Sequence, residues 1–190
     1  NGVQLAIHAM DMLRQQVRPE SRIGTWIING GTASNVIPAT GELEVTVRHT
    51  ERDYLNGLST QIKKIFEGAA LCTGTTVDVE FYGNPYDDMN QNHRGTHLIE
   101  EVMTDMGLDF EPGPADIGGS SDIGNVSYQC AAFHPKLRLA GPDKVCHAKE
   151  FADAMLEPTI EQTILDGANI IGGTLLRLVE NPTVLEEIVA

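Results

Sequence analysis

Apolar residues recur at helical spacing from the start of the chain. Ala6, Met10, Leu13 and Val17 fall at steps of four, three and four. This predicts a helix that Asn1 can cap, running to about Arg18, where Pro19 stops it. Residues 22–29 are β-rich: Ile23, Trp26, Ile27 and Ile28 predict a buried strand, and Asn29-Gly30-Gly31-Thr32 a turn or bulge. Residues 42–49 alternate, with Leu43, Val45, Val47 and His49 on one face and Glu42, Glu44, Thr46 and Arg48 on the other. One wet face suits an antiparallel sheet. A helix then starts at Thr50, with Asp53 near a capping-box position. It buries Leu55, Leu58, Ile62, Ile65 and Ala69, and Gly74 ends it. Val77, Val79 and Phe81 predict a closing strand, with Asp78, Glu80 and Tyr82 opposite. Residues 1–83 therefore read α-β-β-α-β. One strand ahead of Asn1 would complete β-α-β-β-α-β, the ferredoxin-like sandwich.

Residues 84–92, Asn-Pro-Tyr-Asp-Asp-Met-Asn-Gln-Asn, break this pattern and read as a linker between modules. Helical spacing resumes over 93–106 through Leu98, Val102 and Met106, with Gly107 as its C-cap. Residues 128–133 and 137–139 are short strand candidates, and 151–156 a short helical turn. A long helix is expected over 159–178. Thr159 and Gln162 would form its capping box, and Ile160, Ile164, Ala168, Ile171, Leu175 and Leu178 its buried stripe. Pro182 opens a last short helix. The pattern is that of an α/β (α+β) protein of two modules joined by this linker.

Composition narrows the class. At 190 residues and 41% hydrophobic the chain can bury a core, and with 5% aromatic residues that core is aliphatic. A formal charge of −14 argues against nucleic acid and anionic membrane surfaces as partners. Cys72, Cys130 and Cys146 lack CxxC spacing, which points to reduced thiols and a cytoplasmic location. No apolar run reaches membrane-spanning length. The chain opens inside a helix without Met and is expected to be part of a longer protein.

Three segments carry chemistry. His147 precedes a helix. A neutral imidazole there can ligate a metal, with Glu150 to orient it, although a lone histidine in that place is more often a cap or solvated. The stretch from Asp116 through Gly118, Gly119, Ser120, Ser121 and Asp122 to Ser127 offers backbone N–H groups and hydroxyls that can hold a carboxylate or an oxyanion. Asp122 would brace the loop. The plainer alternative is a capped turn leading into a strand. The stretch lacks the ending of a phosphate-binding loop and the GxSxG of a serine nucleophile. In residues 30–38, Asn35 is a turn residue or an amide reaching toward a substrate carbonyl. His134 reads as a packed core histidine before a metal neighbour. His8, His49, His93 and His97 have no partners at ligand spacing and read as structural.

Together, Gly30-Gly-Thr-Ala-Ser-Asn-Val-Ile-Pro38, Gly119-Ser-Ser-Asp-Ile-Gly-Asn-Val-Ser127 and His147-Ala-Lys-Glu-Phe151 resemble, in order and rough spacing, segments of a known family. This is the di-metal family of aminoacylases, glutamate carboxypeptidases and succinyl-diaminopimelate desuccinylases, and the match is nearest its amidohydrolase branch of aminobenzoyl-glutamate hydrolases and related dipeptidases. The resemblance covers nearly the whole chain. It implies that residues 1–88 are a ferredoxin-like lid and dimerisation domain lacking its first strand. It implies that residues 89–190 are the C-terminal portion of an α/β metallopeptidase catalytic domain. By the same resemblance His147 is a metal ligand, Asn35 holds the scissile carbonyl, and Gly119, Ser120, Ser121 and Asp122 lie beside the substrate. Two divalent ions, zinc or manganese, and an N-acyl amino acid or dipeptide substrate are implied, with a homodimer formed through the lid. Ala131 stands where that branch usually has proline. The family's other ligands, its general-base glutamate and its lid histidine would all precede Asn1, so this chain alone is expected to be inactive. The competing readings are a non-catalytic dimerisation or carboxylate-binding module, and a relative that has lost its metals.

Overall fold

A pair of strands joined by a loop needs something laid across one face before it is stable in water, and two helices fill that role in the first half of the chain. The computed structural model describes residues 1–112, 119–139 and 144–189. Strands β1 (Arg22–Asn29) and β2 (Glu42–Arg48) pair antiparallel, with Ile23 opposite Val47, Thr25 opposite Val45 and Ile27 opposite Leu43. The ladder slips by one residue between Ile27 and Asn29, a bulge just ahead of the Asn29–Thr32 stretch read as a turn or bulge. Helices α1 (Gly2–Leu13) and α2 (Arg52–Thr73) pack on each other and close one side of the ribbon. Met10, Leu13, Ile23, Leu58 and Ile62 form the core, flanked by Leu43, Val45 and Val47 from the strand face that alternation assigned inward. Gly74 takes a left-handed conformation (φ 66°) and lets Thr75 N–H reach back to the Ala70 carbonyl at 2.9 Å, which ends α2.

The polar ties of this unit gather where α1 ends and α2 begins. Arg14 donates to the Ile23 carbonyl through Nε (3.3 Å) and a terminal nitrogen (2.8 Å), fixing the helix to the start of β1. The His49 imidazole stacks on Tyr54 with ring centroids 4.2 Å apart, and its side chain is 1% exposed. Its Nδ1 accepts the Glu51 N–H at 2.9 Å. The Arg18 guanidinium lies 4.4 Å above the other ring, and the Arg18 N–H donates to the Tyr54 hydroxyl at 3.0 Å. His49 is thus a packed structural residue.

Several expectations are corrected. Only Ile23 of β1 is buried. Trp26, 63% exposed, and Ile28 point to the opposite face from Ile23, and that face carries no covering layer among the described residues. Residues 75–82 pair with no described strand, so the closing strand on Val77, Val79 and Phe81 is not formed. An extended segment becomes a strand by pairing with a neighbour, and among the described residues β1 and β2 pair only with each other. What stands is a mixed α and β fold with a two-stranded sheet.

The chain divides into two compact units, Asn1–Asp88 and Met89–Ala190. In the second, α3 (His93–Asp105) packs on α6 (Thr159–Glu180), which also meets α7 (Pro182–Val189). Ile99, Met103 and Ile170 form its core, with Phe110, Phe133 and Leu137 against them. Asn92 caps α3 by accepting the Gly95 N–H at 2.9 Å, while its amide donates to the Ile188 carbonyl at 2.7 Å. Gly95 has no room for a methyl group: a Cβ there would sit 1.8 Å from the Phe133 ring.

The segment read as a linker is tied at both ends. Asp88 accepts the Arg52 N–H (3.2 Å) and Asp87 pairs with the Arg52 guanidinium (3.0 Å). Asn90 N–H donates to Ser127 Oγ (2.8 Å). The strands expected at 128–133 and 137–139 are absent. Instead a short helix, α4 (Ile123–Ser127), precedes an irregular run. Further on, α5 (Lys149–Asp153) continues into a 3₁₀ turn, Ala154–Leu156. Two cap expectations also fail. Asn1 makes no side-chain cap, and Pro158 rather than Thr159 precedes α6, with Gln162 donating to Asp166 at 2.8 Å instead of reaching back.

Leu58→Ala should lower the unfolding free energy by about 3 kcal/mol, since it empties a site between both helices and the sheet. Gly95→Ala should cost about 1–3 kcal/mol through overpacking on Phe133. Denaturant titrations followed by circular dichroism check both. Glu44 accepts a hydrogen bond from the Tyr82 hydroxyl and holds that phenol above its ordinary pKa. Glu44→Gln should therefore lower the Tyr82 step in an ultraviolet pH titration.

Candidate functional site

The loop joining β1 to β2 carries Asn35. Its root is stiff: Asn29 Oδ1 accepts the Gly31 N–H (3.0 Å), and Gly31, at φ 111°, lies where a Cβ would come within 2.5 Å of Pro38. That geometry requires glycine. Asn35 sits in the tight turn closed by Val36 N–H on the Ala33 carbonyl (3.3 Å), and it is exposed. Val36 and Ile37 beside it are exposed as well, so the tip presents an amide next to two apolar side chains.

The glycine-serine stretch belongs to the second unit. Its opening residues Asp116 and Gly118 lie outside the described residues. Gly119, Ser120 and Asp122 are exposed, and Ser121 is half-buried. Among the described residues nothing lies within 4 Å of where a Gly119 Cβ would be. The Ser121 hydroxyl accepts the Ile123 N–H (3.4 Å) and donates to Asp122 (3.5 Å), while the Asp122 carbonyl accepts the Val126 N–H (3.2 Å). The motif thus folds as a turn into α4 and not into a strand. Its last residue, Ser127, is buried and joins the Gly124 carbonyl (2.6 Å) to the Asn90 N–H. That tie to the linker had no signal in the sequence, because it depends on two segments 37 residues apart meeting.

His147 is exposed just ahead of α5, which starts with Ala148 accepting the Phe151 N–H (3.2 Å). Its φ of 69° makes it the one non-glycine residue with positive φ among the described residues. Histidine tolerates this region better than most residues, yet the conformation still costs about 1 kcal/mol or more. No hydrogen bond links it to Glu150 among the described residues, nor to Gly119, Ser120, Ser121 or Asp122. His134 is exposed, which corrects its reading as a core histidine. No group of three His, Cys, Asp or Glu able to hold a metal occurs among the described residues. A zinc site takes three or four protein ligands, so His147 fits as one donor and does not by itself make a site.

A hollow of about 330 Å³ lies beside the α1–β1 connection, lined in part by Arg14, Arg18 and Arg22. Each guanidinium is already engaged: Arg14 on Ile23 and Asp11, Arg18 on Glu51, Arg22 on the Pro19 and Ser21 carbonyls. It offers little free charge to a ligand. The three cysteines are exposed and unpaired as thiols, and no helix among the described residues is long and apolar enough to cross a membrane.

No protein-family model matches the chain. Among curated proteins it is 30% identical over 185 residues to the Xaa-Arg dipeptidase of Mus musculus, a match covering 96% of this chain and 43% of that protein. To the Xaa-Arg dipeptidase of Homo sapiens it is 28% identical over 190 residues, covering 97% of this chain and 43% of that protein. To the N-acetyldiaminopimelate deacetylase of Leuconostoc citreum (strain KM20) it is 31% identical over 113 residues, covering 58% and 29%. The chain spans less than half the length of these relatives. The three motif segments and a similarity running almost from end to end lead to the same assignment: the chain belongs to the amidohydrolase and peptidase family that holds the aminoacylases, glutamate carboxypeptidases and desuccinylases, on the amidohydrolase side of it.

Proposed function

We propose that this chain is part of a metal-dependent amidohydrolase that cleaves dipeptides or N-acyl amino acids. The observation that carries the reading is the similarity to dipeptidases across 96% of the chain. In this reading residues 1–88 are a ferredoxin-like lid through which two copies pair, and residues 89–190 are the C-terminal portion of the catalytic domain. The enzyme works in the cytoplasm with two divalent ions, zinc or manganese, and is inactive as the 190-residue piece alone.

Bound metal in such a site would lower the pKa of a coordinated water and polarise the amide carbonyl. This chain's own groups have narrower tasks. His147 presents one imidazole nitrogen as a donor, from a backbone conformation that positions the ring at a stated cost. Asn35 Nδ2–H, exposed at the loop tip, donates to the carbonyl oxygen as it gains negative charge. The N–H groups of Gly119 and Ser120 and the Ser120 hydroxyl receive the substrate carboxylate, while the Ser121 hydroxyl donates to Asp122, which braces the loop beside the substrate. Dipeptides with a C-terminal arginine, named by the mouse and human relatives, are the first substrates to assay.

Two variants of the longer protein test the roles. His147→Gly should abolish hydrolysis and lower metal content, yet leave thermal stability within about 1 kcal/mol, because relief of positive φ offsets the added chain entropy of glycine. Full activity in that variant, measured by release of the free amino acid, would sink the assignment. Asn35→Ala should lower kcat by about 10²–10³ with little change in metal content, the usual loss for one oxyanion donor.

A further inference from the structure

The face of the β1–β2 ribbon that points away from α1 and α2 carries side chains that packing does not explain. Trp26, the single tryptophan of the chain, stands there 63% exposed. An indole in water forgoes one of the largest apolar burials a side chain can make. Its cross-strand partner is Glu44. Residues directly opposite in an antiparallel pair share a face, with Cβ atoms about 5 Å apart, so the ring and the carboxylate are neighbours. Tyr82, 71% exposed, donates its hydroxyl to the same carboxylate. Gly24, two residues before Trp26 and on its face, adds no side chain to cover the ring.

Charge on this face is divided. Glu42 and Glu44 lie toward the loop that joins the strands, and neither forms an ion pair among the described residues. Arg22 and Arg48, register partners at the other end, stand four residues from Trp26 and Glu44, about 13 Å along the strands. The Arg22 guanidinium is turned to the Pro19 and Ser21 carbonyls. The indole therefore stands next to uncompensated negative charge, and an anionic group beside an electron-rich ring suits a cation.

We propose that Trp26, Glu44 and Tyr82 form a recognition site for the guanidinium of an arginine side chain in a small peptide. A guanidinium is planar and weakly hydrated. It stacks on an indole while its edge donates two parallel N–H bonds to a carboxylate. The Tyr82 hydroxyl takes one of about four acceptor positions on the Glu44 carboxylate and leaves the others open. An ammonium is compact and strongly hydrated, so it gives up more on leaving water and cannot stack. The choice of a small peptide as carrier rests on the proposed reading of the chain as part of a dipeptide hydrolase; the fit to the cation does not.

Trp26 is its own reporter, because no other tryptophan contributes to the emission. Nα-acetyl-L-arginine amide, titrated into the 190-residue chain at constant ionic strength, should change Trp26 fluorescence saturably. Half-saturation should come on the order of a few millimolar, as expected of one exposed cation site. The citrulline counterpart, similar in shape and uncharged, should need at least tenfold more, and the lysine counterpart at least threefold more. Glu44→Gln should weaken binding of the arginine compound at least tenfold, while Glu67→Gln, at an exposed position on α2, leaves it unchanged. An equal response to the citrulline or the lysine compound overturns the proposal, as does the lack of any saturable response. Emission that shifts with protein concentration alone also overturns it, and assigns the face to a second copy. A hydrolysis assay on the longer protein separates this inference from the enzyme reading. Arginine-selective binding without amide hydrolysis keeps the site and removes the enzyme, and dipeptide hydrolysis without such binding does the reverse.

Discussion

A two-stranded ribbon is marginal in water because each strand leaves one edge and both faces open. In the first unit that constraint is met by laying α1 and α2 across one face, so that Met10, Leu13, Ile23, Leu58 and Ile62 close a single aliphatic core. Everything the loop around Asn35 does depends on this contact. The loop leaves β1 at Asn29 and returns at Glu42, and those two residues are register partners. The helices fix the ribbon, the ribbon fixes the root, and Gly31 against Pro38 sets the angle at which the tip departs. In the role proposed for Asn35, an amide at the tip gains from a base that cannot drift.

The second unit uses the same logic with helices alone. Close approach of α3 to its neighbours requires residues without side chains, Gly95 under the Phe133 ring and Gly173 against Val102. Polar residues then fix what the apolar contacts leave free to slide: Asn92 ties α3 to α7, Ser127 ties α4 to the linker, and Arg177 reaches Glu101 and Asp105 on α3. The candidate segments sit at the ends of short elements in this frame. Gly119 to Asp122 lead into α4, and His147 leads into α5. Chemistry-bearing residues on loops held by rigid elements are the usual arrangement of a binding site.

The elements readable from sequence were those with many repeats of one period. α2 announced itself through Leu58, Ile62 and Ala69 and through Gly74. β2 did so through clean alternation. The Gly119–Ser127 stretch was read as a loop running toward a strand because it has neither period, and a five-residue helix is too short to show one. Val77, Val79 and Phe81 show the limit of alternation: it marks which side chains can share a face, and pairing needs a partner. The candidate residues Asn35, Gly119, Ser120, Ser121, Asp122 and His147 were visible as types in an order, and that order led to the family. The positive φ of His147 and the tie from Ser127 to Asn90 were not visible, since both come from how distant segments constrain a backbone.

Sequence alone determined the local grammar of this protein: where helices run, where chains turn, which residues can accept or donate, and to which amidohydrolase relatives it is similar. It did so because periodicity, caps and glycine positions act within a few residues of one another. Only the tertiary structure decided which of two apolar faces each element buries. Trp26 points away from the helices although its strand reads as buried, and α6 packs through Ile170 and Thr174 while Ile164, Ile171 and Leu175 stay open. The physical reason is that burial is a property of a pair of surfaces, and the second surface of the pair is not written next to the first in the chain.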